Sequence, residues 1–399
     1  MDFRDFDVLL YGAGGFTGRQ TVAYFTTHAP AGLRWAIAGP RQETLDAARH
    51  AARAPLSDRD VFVAPSQDQA AVDAIVARSR IVLSTAGPFA RYGTPIVDAC
   101  VRFQTHYVDI TGETPWMREI ADRYHEPAAA GRTRVIPACG FDSVPSDLGA
   151  WLMARHVRET TGGAAAEIRA YFQFSGGLNG GTVASLLNML DMPRSAATAA
   201  PPRDGRIRLV KSPRHDAAIG ACVAPFVMAL TNTHVVRRSL TLLESWGEPK
   251  GPGVYQEGML FDGPLGRIRA TAATAGLGLL LASVKLPLTR RLVQPFLPKP
   301  GAGPSERRMD DGWFTCDLVG IADDGRLARG LIRYDGDPGN RATTVMVCES
   351  ALALALDADQ LPGGAARGGV LTPVTGLGDT LAERLRRAGV AIEIPVTDQ

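Results

Sequence analysis

Cysteine is scarce in this chain, and none of it is grouped. Cys100, Cys139, Cys222, Cys316 and Cys348 are widely spaced and odd in number. There is no Cys-x-x-Cys, no Cys/His cluster and no metal spacing among the seven histidines. That argues against a disulfide framework or a zinc site and for a reducing compartment. Charge of one sign is missing as well: the net charge is +2, which argues against a nucleic-acid partner. No HExxH and no Ser-His-Asp spacing stands out, so neither metallopeptidase nor serine-hydrolase chemistry is expected. The opening MDFRDFD is too acidic and too poor in apolar residues for a secretory leader, so a cytoplasmic protein is expected. The uncharged stretch Ala270–Val284 is about fifteen residues long, short of the roughly twenty that a spanning helix needs.

What is present is a chain of 399 residues, 45% of them hydrophobic, long enough for two domains with sizeable cores. Its plan is set by DVLLYGAGGFTG, Asp7 to Gly18. Val8 to Leu10 read as a buried parallel strand. Gly12, Gly15 and Gly18 follow at three-residue intervals, with Gly14 added and Phe16 and Thr17 between, and a helix continues to His28. Strand, glycine turn and helix together present backbone N–H groups to a pyrophosphate. Gly12 makes the tight turn, Gly14 or Gly15 lets the backbone approach the phosphates, and Gly18 lets the helix pack on the sheet.

A second strand, Leu33–Ala38, ends in Gly39. An acid there would bind a ribose hydroxyl; instead Arg41 is placed to meet a 2′-phosphate, which favours NADP over NAD. The plain alternative is that Arg41 only starts a solvated helix. Strands at 61–63, 81–84, 107–110 and 134–138 alternate with helices at 43–53, 67–78 and 94–103. That alternation demands a doubly wound parallel sheet. Ala86, Gly87 and Pro88 break the chain at a strand's C-terminal end, where a cofactor lies in such a fold. Ser146 and Asp147 are expected to cap a helix over 148–156.

The pattern changes after Thr160. Ile168–Phe174 alternates like a half-buried antiparallel strand, and strands are expected at Thr233–Thr241, Phe314–Ile321 and Gly325–Tyr334, the last two joined by a hairpin turn. A loop is expected from Pro193 to Asp216. The fold class is therefore α/β: a doubly wound Rossmann-type sheet over 1–160 and a second, mostly antiparallel α+β domain over 161–335. Helices at 343–355 and 376–388 suggest that 336–399 returns to pack on the first domain. Three readings of Ala270–Val284 compete: a buried or partly buried helix of the second domain, a helix lying on a membrane surface or docking patch, and a true span. The flanking basic residues, Lys285, Arg290 and Arg291 with those of Leu297–Arg308, would then face anionic lipid or an acidic carrier protein.

YGAGGFTGR, STAGPFARYG, YVDITGE, ACGFDSVPSDLG, PKPGAGPS, GDPGN-RAT and ESALALAL–GGVLTP occur here in one order. In that order they resemble the saccharopine dehydrogenase-like oxidoreductases, and most nearly the bacterial trans-acting enoyl reductases. The resemblance covers nearly the whole chain. It implies a nicotinamide cofactor, a dinucleotide domain completed by the C-terminus, and a lipid-like or acyl substrate. Two departures stand out. Pro40 follows Gly39 and displaces the arginine to Arg41, and Asn340 stands where many relatives have tyrosine.

Enoyl reduction needs hydrogen-bond donors for an enolate and a proton for the α-carbon. Tyr92, Asp142 and Ser143 are the candidates, with Tyr92 the first choice for the proton and Asp142 either orienting a donor or acting as the acid. Their structural alternatives are packing beneath the next helix for Tyr92 and bracing a turn for Asp142 and Ser143. Expected partners are an acyl thioester or a carrier-bound chain, peripheral membrane contact through 270–284, and a second copy in a homodimer. Two other functions compete. A saccharopine-type amino or keto acid dehydrogenase would need a cationic clamp, for which Arg237 and Arg238 are poor because neighbours on a strand face opposite ways. A non-catalytic, dinucleotide-dependent lipid-associated protein would bind the cofactor without turnover.

Overall fold

The computed structural model describes residues 4–177, 179–191, 205–249, 251–285, 289, 298–299 and 301–394. Its first unit alternates strand and helix: β1 (Phe6–Tyr11), α1 (Phe16–His28), β2 (Trp35–Gly39), α2 (Gln42–Ala51), β3 (Val61–Val63), α3 (Gln69–Val76), β4 (Ser79–Ser84), α4 (Phe89–Tyr92), α5 (Thr94–Arg102), β5 (His106–Asp109), α6 (Thr114–Ala130), β6 (Arg134–Ile136) and α7 (Val144–Thr161). β1 is buried along its whole length and pairs in parallel with β2 on one side and β4 on the other. A strand covered on both faces by helices can be apolar throughout, which is why Val8, Leu9 and Leu10 stand in a row.

The second unit contains β7 (Ala165–Ser175), α8 (Gly180–Asp191), β8 (Ile207–Leu209), β9 (Arg214–Asp216), β10 (Ala221–Ala224), α9 (Ala229–Ser245), β11 (Val254–Phe261), α10 (Gly266–Lys285), α11 (Glu306–Asp310), β12 (Trp313–Ala322) and β13 (Leu327–Tyr334). The chain then returns through α12 (Thr343–Leu356), β14 (Gly369–Val370), α13 (Pro373–Arg387) and β15 (Ala391–Glu393). Among the described residues the parallel sheet runs β14-β6-β5-β4-β1-β2-β3, and the second sheet runs β15-β13-β12-β7-β11-β10-β9 with β8 also on β11. The second sheet is mixed: β7 and β8 lie parallel to β11 and its other pairings are antiparallel.

Several expectations are corrected. Thr233–Thr241 is not a strand but the middle of helix α9. Its β-branched residues suggested a strand, yet Val235, Val236, Ser239, Leu240, Leu242 and Leu243 bury one helical face. Arg237 and Arg238 are therefore helix neighbours and not opposite faces of a strand. The segment read as a loop up to Asp216 contains β8 and β9, and β10 and β11 had no strong sequence signal; residues 192–204 lie outside the described residues. Ser143, rather than Ser146 or Asp147, stands at the cap position of α7, and those two are buried in its first turn. Helix α10 is largely exposed, against the reading of it as a buried element. None of the described helices is long and apolar enough to cross a membrane. Arg290 and Arg291 lie outside the described residues.

The C-terminal return closes both sheets. β14 pairs with β6 at the edge of the parallel sheet, while β15 pairs with β13 of the second sheet instead of packing on the first domain. Arg134, 3% exposed, fixes this return by donating to the carbonyls of Gly376, Pro362 and Gly364 at 2.7, 3.0 and 2.6 Å. Burial lowers its pKa to about 10, so it stays charged at neutral pH. Arg134→Met would leave those carbonyls unpaired, and a loss of about 3 kcal/mol is expected in urea unfolding; an unchanged midpoint would show that the return is held elsewhere.

Candidate active site

The glycine turn shapes the first part of the site. Gly12 has φ of +86°, a conformation that side chains other than glycine resist. A Cβ on Gly18 would stand 2.1 Å from the Gly12 carbonyl oxygen, so α1 begins hard against the turn. No side chain caps α1 and no acid lies in its first turn. Its leading N–H groups, at Phe16 and Thr17, are therefore open to an anion, and the helix dipole favours one. Gly14 packs against Thr44 of α2. The nitrogen of Ala86 lies 2.9 Å from where a Gly12 Cβ would be, so Ala86 meets the glycine turn directly, while Gly87 and Pro88 follow it in the chain. β1 lies between β2 and β4, the point where the strand order reverses and a cofactor crevice opens. Arg41 is exposed at the start of α2, past the end of β2. These features fit a dinucleotide diphosphate.

A strap from the second unit crosses this corner. Gly303 seats on the Phe16 ring, Arg19 donates to the Gly301 carbonyl at 3.2 Å, and Gly180 N–H donates to the Ala302 carbonyl at 2.9 Å. Asn340 is buried: its amide donates to Asp337 at 2.7 Å and accepts from Asn179 at 2.7 Å. It thus ties the loop before α8 to the start of the C-terminal return.

The second part of the site lies where β5 and β6 end. Asp142 is half-buried, its Oδ2 lies 3.6 Å from where a Gly112 Cβ would be, and the Met228 methyl approaches the same point to 3.7 Å. It has no hydrogen-bond partner among the described residues, and burial pushes its pKa up to about 6. Ser143 is fully buried and turned away, donating to Asn232 at 3.4 Å. Tyr92 is half-exposed at the end of α4 with the Arg91 guanidinium 5.4 Å from its ring centre. No contact among the described residues joins Tyr92 to Asp142 or Ser143. Cys139 is buried, and burial raises its thiol well above the usual range, so it is no nucleophile. Among the described residues no group of His, Cys, Asp and Glu could hold a metal.

Residues not singled out as candidates do much of the positioning. Glu113, fully buried, accepts from the N–H groups of Phe89 and Ala90 at 2.7 and 3.0 Å and from Ser185 at 2.8 Å. It fixes the turn after Pro88 and docks α8 on it. Glu257 accepts from Ser146, Asn232 and Tyr255 at 2.9, 3.0 and 2.8 Å, and burial raises its pKa to about 7. Thr231, beside Asn232, donates to the Gly112 carbonyl at 3.0 Å. The start of α9 thereby grips both loops that flank Asp142. The only sequence signal was a Glu in the middle of an apolar strand, and its partners lie far away in the chain.

The comparisons bear on this geometry. Residues 8–136 match the model of the saccharopine dehydrogenase NADP binding domain. A trans-acting enoyl reductase of Mycobacterium tuberculosis is 33% identical, covering 98% of this chain and 97% of its own. One of Mycobacterium leprae is 33% identical over 98% of each chain. The chain belongs to this saccharopine dehydrogenase-like family. It is an NAD(P)H oxidoreductase of that family, with NADP as its cofactor. The fold agrees: apo saccharopine dehydrogenase (L-Glu forming) of Saccharomyces cerevisiae superposes with a TM-score of 0.54 at 13% identity, covering 98% of both chains. Homospermidine synthase of Legionella pneumophila, solved with NAD, gives 0.53 at 10% identity over 99% of this chain and 92% of its own.

Two outcomes follow for this family member. Arg41→Ala is expected to weaken NADPH binding about tenfold while leaving NADH unchanged, as fluorescence titration would show; equal losses would remove Arg41 from the 2′-phosphate. For Glu257, the folded pKa of about 7 lies above the ordinary 4.5. Its ionised form is disfavoured in the fold, so its contribution to stability falls as pH rises from about 4 to about 7. Glu257→Gln should melt no lower than the parent at pH 8, and the advantage should vanish toward pH 5.

Proposed function

We propose that this oxidoreductase reduces the C=C bond of an α,β-unsaturated acyl thioester, presented by the carrier of a partner synthase. Bound NADPH supplies the hydride. Asp142 is the proposed acid: its carboxyl protonates the substrate α-carbon, and its own proton is replaced from solvent at the cleft mouth. The observation that carries this assignment is a carboxyl without a hydrogen-bond partner among the described residues, half-buried where β5 and β6 end, with its pKa raised to about 6. A buried carboxyl tuned toward neutrality is suited to proton transfer. Tyr92 is the second candidate for the proton. Ser143 acts through position alone, since its hydroxyl is engaged with Asn232.

The surroundings support an acyl substrate over an amino acid. Phe141, next to Asp142, packs 4.8 Å from Phe314 and 6.3 Å from Phe174 between ring centres. Phe174, which meets both Phe141 and Phe226, is 38% exposed, and Val227 and Leu230, which follow Phe226 in the chain, are exposed as well. Such a rim suits a hydrocarbon chain. The cationic clamp of the amino-acid reading is weakened, because Arg238 donates to the Val370 carbonyl.

With a short enoyl thioester, Asp142→Asn is expected to lower kcat by about a hundredfold at unchanged NADPH affinity. Because the acid must carry its proton, kcat of the parent should fall as pH rises through about 6, and the variant should lose that limb. If Tyr92→Phe carries the large loss and Asp142→Asn does not, the proton comes from Tyr92.

A further inference from the structure

Helix α10 is largely apolar, and among the described residues only β10 and β11 pack on it. Only its root is anchored: Ala270 is buried with Cys222 and Ala224 of β10, with Phe261 packed alongside. Beyond that point Leu279 is 74% and Leu280 42% exposed, and Ile268 near the root is 67% exposed. A Cβ built on Gly276 or Gly278 would meet nothing within 4 Å. At 100° per residue, Leu277, Leu279, Leu280 and Leu281 spread over more than half of the circumference. The other positions from Ala270 to Ser283 are Ala, Gly, Thr and Ser. Between Ala270 and Ser283 the helix carries no charge to keep toward water.

The charges around it are mostly basic; the one acid at its root, Asp262, is paired with Arg269 at 3.1 Å. From Gly263 to Ser305 the sequence contains no Asp or Glu and six Lys or Arg. Arg267 and Arg269 precede the uncharged span and Lys285 follows it. At the root of the helix, a cavity of about 570 Å³ is lined by Arg214, His215 and Arg267, with Cys222 and Pro264 beside them and no acid in its wall. Arg214 also donates to Gln256 at 2.8 Å.

We propose that α10 docks the protein on an anionic phospholipid membrane. The helix lies along the interface with its leucines among the acyl chains, and a lipid phosphate is held by Arg214 and Arg267 at its root. Two features select a bilayer over a protein partner. A protein groove covers one stripe of a helix, whereas hydrocarbon surrounds it, and these leucines are not confined to a stripe. The basic residues at its root, Arg214 and Arg267, match phosphate headgroups beside the apolar span. The site is remote in sequence from Asp142 and the glycine turn, so docking does not depend on the identity of the reduced substrate.

The test is flotation of the full chain with vesicles of phosphatidylcholine alone and of phosphatidylcholine mixed with phosphatidylglycerol. The intact protein should float with the anionic vesicles, weakly or not at all with the neutral ones, and salt should reduce binding. Leu279→Glu/Leu280→Glu and, separately, Arg214→Glu/Arg267→Glu should each lower partition about tenfold or more. Both variants should keep NADPH binding and turnover of a water-soluble enoyl thioester, which separates failure of this inference from failure of the proposed reaction. The proposal is overturned if the intact chain floats with neither vesicle, or if the leucine variant floats as well as the parent. It is also overturned if light scattering shows that the leucine change only splits a dimer.

Discussion

The rest of the molecule depends on the approach of Gly18 to the carbonyl of Gly12. With a Cβ absent, α1 starts against the turn that ends β1, and its first N–H groups point into the crevice between β1 and β4. Neither a capping side chain nor an acid competes for them. What they lack in protein partners an anionic ligand supplies. Ala86 sits against the same turn, so the segment that follows β4 and the turn that follows β1 are held together by backbone contact.

Around that corner, buried carboxyls do the joining. Asp109 accepts from the N–H groups of Thr111 and Ala138 and so links the ends of β5 and β6. Glu113 holds α4 and α8 together, and Asp147 accepts from Ser239 of α9 and from the N–H of Val374 at the start of α13. Glu257 holds the start of α9 over the first turn of α7. Burying a carboxyl is costly unless donors surround it, and each of these has at least two. Asp142 has none among the described residues. The contrast separates groups that build the site from one available for chemistry.

Apolar surface is also distributed unevenly. The five phenylalanines 141, 172, 174, 226 and 314 meet ring to ring beside Asp142, while α10 projects its leucines from a different part of the second sheet. One surface adjoins the reacting position and the other does not.

The sequence by itself determined what depends on short-range pattern. The apolar run before Gly12, the glycine spacing, the alternation of strand and helix up to β5, the hairpin of β12 and β13 and the helical return were legible because each is a local preference of the backbone, whereas helix α6 was not read from the sequence. The position of Arg41 past β2 was legible for the same reason. Tertiary structure decided what requires partners distant in the chain. Thr233–Thr241 became helix because burial against α7 and β11 overrode its β-branched composition. β8 to β11 are strands because the growing sheet offered them an edge. Ser143 and Asp142 are adjacent in sequence, yet one is engaged with Asn232 and the other lies against Gly112 with no hydrogen-bond partner among the described residues. Which side chain is left without a partner depends on everything packed around it, and no local pattern contains that information.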